Sequence, residues 1–162
     1  MAELSPKQHY LKHLGQLKNE RTSFEEHWRE LAEFIDPRST RFLTTERNNG
    51  SKRNTRIVDP TASKAARTLQ SGMLSGITSP TRPWFKLATP DPEMMQYGPV
   101  KRWLDVVMTR MNEVMNRSNV YQSLPIIYRH LGVFGTAAMA VLEDDEDVIR
   151  THPLPIGSYY LS

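Results

Sequence analysis

At 162 residues the chain is long enough to bury a real core, and 38 % apolar with 24 % charged residues argues against wholesale disorder. It has no cysteine, which excludes disulfides and thiolate metal sites and fits synthesis in a reducing cytoplasm. The net charge of +3 conceals a basic stretch, residues 38–56, with six basic side chains against Glu46, and an acidic run, Glu143 to Asp147, reading EDDED.

Ser5-Pro6 is a helix cap followed by proline at the first helical position. From there Tyr10, Leu14, Leu17, Arg21, Phe24, Trp28, Leu31 and Ile35 recur at spacings of four and three, a heptad seam with Arg21 as its one polar member. The pattern predicts an amphipathic helix running to about Ile35, where Asp36-Pro37 stops it. That seam fits packing within its own domain or docking against a neighbouring subunit. The N-terminus has no apolar run resembling a signal peptide. The longest unbroken apolar run, Ala137 to Leu142, is far too short to span a membrane.

Residues 37–56 show no periodicity and hold Asn48-Asn49-Gly50-Ser51 at their centre, so they read as a long exposed basic loop. Arg38, Arg41, Arg47, Lys52, Arg53 and Arg56 are the candidate contacts in it. Such side chains neutralise phosphates without reading bases, or bridge to a neighbouring subunit. Phe42 is its one aromatic residue, which argues against base stacking on single strands.

Asp59-Pro60 repeats the cap-then-proline start. Ala62, Ala66, Leu69, Met73 and Ile77 form a stripe flanked by Ala65, Gly72, Ser75 and Gly76, which predicts a central, tightly packed second helix. Leu69→Asp is then expected to unfold the domain. Trp84-Phe85-Lys86-Leu87 reads as a short strand and Pro90-Asp91-Pro92 as a breaker. Pro99 opens a third helix, carrying Val100, Trp103, Leu104, Val107, Met111, Val114 and Met115. Asn119 is placed to cap a fourth, with Pro125 in its first two turns and Gly132 and Gly135 at its end. Thr136–Leu142 and Val148–His152 read as a hairpin turning at Asp144-Asp145, and Ile156–Leu161 as a third strand. The fold class is α+β: a long N-terminal helix, three further helices and a small antiparallel sheet, read as a single domain over 1–162.

No chemistry-bearing constellation emerges. His9 and His13 share a helix face but lack a third ligand nearby, and the EDDED run lacks the spaced ligands and central glycine of a calcium loop. Neither a nucleophile elbow nor a phosphate-binding glycine loop is present, and Gly72 and Gly76 stand at helical spacing. No catalytic, cofactor or metal residue is nominated.

Four phrases carry a resemblance. They are Phe24-Glu25-Glu26-His27-Trp28 leading to Ile35-Asp36-Pro37, and Asp59-Pro60-Thr61-Ala62 followed by Ala66 and Leu69. The others are Ser71 to Gly76 with Thr78-Ser79-Pro80 and Pro83-Trp84-Phe85, and Tyr128 to Ala138 leading into the hairpin. In order and spacing they resemble the N-terminal region of portal proteins, the head-to-tail connectors of short-tailed bacteriophages. The resemblance implies a typically dodecameric ring at one capsid vertex of the virion, made in the bacterial host. Its implied partners are the terminase, capsid and tail proteins, with double-stranded DNA passing through the channel and no cofactor or membrane. It maps the chain onto the outer wing. Portals of this group are several times longer, so their stem, clip and crown are expected beyond Ser162, and the end inside a predicted strand reads as truncation. The competing expectation is a free-standing phage protein that binds nucleic acid or a host component through the basic loop.

Overall fold

The computed structural model describes residues 5–37 and 57–161. Its elements run α1 (Pro6–Phe34), α2 (Thr61–Ile77), α3 (Pro92–Gln96), α4 (Gly98–Arg117), α5 (Val120–Phe134), β1 (Ala138–Asp144) and β2 (Val148–Leu154). The two strands form one sheet, giving the expected α+β class. The chain divides into two compact units. One comprises Met1–Ala66, His130–Ala138 and Leu154–Ser162, and the other Arg67–Arg129 and Met139–Pro153.

In the first unit, α1 starts where its sequence dictates. Ser5 Oγ accepts from Gln8 N while the Gln8 side chain accepts from Ser5 N, so two otherwise orphaned donors are satisfied, and Pro6 supplies a preset φ. At about 1.5 Å per residue the 29-residue helix is about 43 Å long, yet its core contacts lie near its end. Ala32, Phe134 and Ile156 form the buried cluster, with Trp28, Leu31, Val133 and Tyr159 packed around it. Trp28 Nε1 donates to Phe134 O at 3.2 Å, tying α1 to the end of α5. Gly135, at φ 74°, stops α5 in the left-handed conformation that glycine adopts without a Cβ clash, and its N–H donates to Leu131 O. Beyond β2, Pro155 O accepts from both the amide and the hydroxyl of Ser158, and Gly157 sits at φ 90°. This turn replaces the third strand expected over Ile156–Leu161, because a chain folded back on Pro155 presents no straight edge to pair.

The second unit is held by buried polar contacts as much as by apolar ones. Leu104, Val120 and Tyr128 are buried, and Thr78 Oγ1 meets Tyr128 Oη at 2.8 Å. The expected cap Asn119 turns its side chain onto β2 instead, where its amide nitrogen donates to Thr151 O and its oxygen accepts from Thr151 N, both at 2.8 Å. Ser123 closes the network, its Oγ lying 2.8 Å from Thr151 Oγ1. The strand expected at Trp84–Leu87 is not formed: the segment follows Pro83, which has no N–H to give, and Trp84 Nε1 donates to Tyr121 Oη. Conversely, Asp91-Pro92 starts the short helix α3 rather than merely breaking the chain, with Asp91 Oδ1 accepting from Glu93 N at 2.9 Å.

The expectation for α2 is corrected. Leu69 is 47 % exposed and Ile77 56 %, and a Cβ added at Gly72 or Gly76 would meet no atom within 4 Å. Small residues permit close approach of another backbone, but among the described residues none outside the helix comes that close to Gly72 or Gly76.

Candidate functional site

All six candidate contacts, Arg38, Arg41, Arg47, Lys52, Arg53 and Arg56, lie outside the described residues. The helices on either side of them in sequence are described. The chain leaves α1 at Ile35 and begins α2 at Thr61, and Ser63 Oγ donates to Ile35 O at 2.7 Å, joining the two ends. The α2 start is fixed by Asp59, whose carboxylate accepts from Thr61 N at 3.1 Å and Thr61 Oγ1 at 2.7 Å.

The same unit carries a cleft of about 390 Å³ between the middle of α1 and the segment after Gly157. Leu17, Phe24, Trp28, Phe134 and Tyr160 make its walls. Arg21, the polar member of the heptad seam, explains itself there. Its Nη1 donates to Gly157 O at 2.7 Å and to Tyr159 O at 3.2 Å, and its Nε donates to Glu25 at 2.8 Å. The guanidinium carbon stands 4.0 Å from the centre of the Tyr160 ring. One side chain thus fastens the Gly157–Tyr160 strap to α1. In sequence Arg21 is an exception to the seam, because its two carbonyl partners, Gly157 O and Tyr159 O, lie more than a hundred residues away.

The acidic run occupies the expected hairpin turn in the second unit. Asp144 Oδ1 accepts from Asp147 N at 2.9 Å and from Glu146 N at 3.1 Å, and its other oxygen pairs with Arg150 at 2.9 Å. The Asp147 amide, with the smaller help of Glu146 and Arg150, outweighs desolvation and lowers the Asp144 pKa below its ordinary value. Arg117 pairs with Asp147 at 3.1 Å. Val148, at φ 72°, is a β-branched residue in the left-handed region. Among the described residues, no group of three histidine or carboxylate side chains is placed to hold a metal ion, and no helix is long and apolar enough to cross a membrane. His9 and His13 are exposed on α1.

The profile of the bacteriophage head to tail connecting protein family matches residues 7–162. The portal protein of Salmonella phage epsilon15 is 68 % identical over all 162 residues, and the probable portal protein of Bordetella phage BPP-1 is 41 % identical over the same span. The chain covers 29 % of the length of each of these two relatives. On this match, which takes in almost every described residue, the chain belongs to the bacteriophage head to tail connecting protein family.

Proposed function

We propose that the chain forms part of a portal, a structural ring at the capsid vertex through which double-stranded DNA is packaged and ejected, and that it performs no chemistry of its own. The family match over residues 7–162 is the observation that carries this reading. In it the chain is the wing-like, N-terminal part of a subunit, made in the host cytoplasm and incorporated in the virion. Its partners are other copies of itself, the terminase, and capsid and tail proteins. The basic residues Arg38, Arg41, Arg47, Lys52, Arg53 and Arg56 are assigned to contact with DNA phosphates or with a neighbouring subunit.

The test is DNA affinity as a function of salt, on the wild-type chain and on Arg53→Glu/Arg56→Glu. A structural wing is expected to bind duplex DNA weakly at every salt concentration, with the double variant unchanged in melting temperature. Tight binding with a steep logarithmic salt slope, made shallower by about two charges' worth in the variant, would instead establish a free-standing phosphate binder.

A further inference from the structure

The start of α1 is an amphipathic stretch that no described residue covers. Every residue from Ser5 to Leu14 is exposed. Tyr10, Leu11, Leu14 and Leu17 fall within one face at 100° per residue, and Lys7 and Lys18 flank that face at its two ends. Among residues 5–19 there is no acid, so this end of the helix carries only positive charge. The hairpin tip has the opposite character. Val141, Leu142 and Val148 are each more than half exposed there, beside exposed Glu143, Asp145 and Glu146. No ion pair among the described residues uses Lys7, Lys18, Glu143, Asp145 or Glu146.

We infer that these two surfaces are one interface seen from its two sides: the basic apolar first half of α1 docks on the acidic apolar hairpin tip of a second copy of this chain. Charge complementarity selects this occupant. Pairing α1 with α1 side by side in parallel would set Glu20 against Glu25 across the seam and place Arg21 within it, a like-charge arrangement that opposes association. Helix on hairpin instead matches lysines to carboxylates around a patch that is apolar on both sides. The contact is heterologous, so each copy keeps one helix and one hairpin unsatisfied until a ring closes. It rests on the portal reading and names a contact surface for it. A patch formed by four helix side chains and three strand side chains is small beside the roughly 800 Å² per partner of a stable dimer, so a single contact is expected to be weak. Repetition around a ring would supply the remaining affinity.

The test mixes ¹⁴N- and ¹⁵N-labelled chain and treats it with a carbodiimide, which joins an amine to a carboxylate only when the two touch. Mixed-isotope peptides linking Lys7 or Lys18 to Glu143, Asp145 or Glu146 are expected. Lys7→Glu/Lys18→Glu removes those amines, so its readout is self-association by light scattering, expected to weaken on the order of tenfold, and adding Asp145→Lys/Glu146→Lys to the same chain should restore it, with mixed links now joining the introduced carboxylates to the introduced lysines. Circular dichroism on each variant verifies folding. Mixed links confined to other residues, or links formed within single-isotope chains alone, would overturn the interface while leaving the portal reading intact. A monomeric mass with no mixed links at all would remove both the interface and self-association of this chain.

Discussion

Arg21 and Asp144 do their work as single side chains. Arg21 makes two carbonyl hydrogen bonds, one ion pair and a ring contact, all within the first unit. Arg21→Met keeps the apolar stem and the helix propensity but leaves Gly157 O and Tyr159 O without this donor. The expected loss is about 1–3 kcal/mol in urea unfolding, with amide exchange quickening first across 157–160. Equal exchange in variant and wild type would show that the strap is held by the Tyr159 ring alone. For Asp144 the sign of the pH effect is set by its lowered pKa. The folded carboxylate is favoured, so its contribution is complete above the unfolded value, near 3.9, and is lost as pH falls through the lower folded value. Asp144→Asn is therefore expected to narrow the stability gap between neutral and acid solution, measured as unfolding midpoints from pH 7 down to about pH 2. At Val148 the left-handed backbone costs a β-branched residue about 1–2 kcal/mol, more than glycine loses in chain entropy. Val148→Gly should therefore raise the melting temperature, and a fall would mean that the side chain packs usefully.

At the scale of elements, legibility followed whether the signal was local. The start of α1 was plain because a capping box needs only Ser5, Pro6 and Gln8, residues that are neighbours in sequence. Both strands of the hairpin were legible from alternation and turn residues. The Trp84–Leu87 and Ile156–Leu161 segments carry strand-like composition, but a strand also needs a partner edge, and that is a non-local fact. Arg21 is the same case for the candidate site: its partners, Gly157 O and Tyr159 O, are backbone atoms that no side-chain pattern announces. The six basic residues are legible as a charge run, while the Ser63–Ile35 hydrogen bond that joins the end of α1 to the start of α2 is not. The α2 helix shows how a composition signal points outward as well as inward. Its small-residue stripe meant close packing, yet among the described residues none outside the helix comes within 4 Å of a Cβ built at Gly72 or Gly76. Leu69→Asp, which a buried position would not tolerate, is now expected to leave the protein folded. Gly72→Ala should stabilise it by about 0.5–1 kcal/mol, since alanine favours the helix and its Cβ meets nothing. A destabilised but folded Gly72→Ala chain would show that another copy already covers this stripe in solution.

For the whole molecule, the modest net charge of +3 is the sum of segregated parts: a basic helix end, a basic stretch at 38–56 and an acidic hairpin. A uniformly mixed surface of the same net charge would interact with its copies almost independently of salt. Segregated surfaces attract at range, and the Debye length shrinks from about 30 Å at 0.01 M salt to about 3 Å at 1 M. Light scattering across that range is therefore diagnostic of what holds copies together. If helix-to-hairpin charge pairing contributes as inferred, the weight-average mass should fall with added salt, and do so more steeply for wild type than for the chain carrying Lys7→Glu and Lys18→Glu. The apolar residues Tyr10, Leu14 and Val148 would leave a residual association that salt does not abolish, because burial of apolar surface strengthens as the solvent becomes more cohesive. A mass that rises with salt from a monomeric baseline would place association on apolar faces such as α2, with the charged patches acting only to keep copies apart until the ring partners meet.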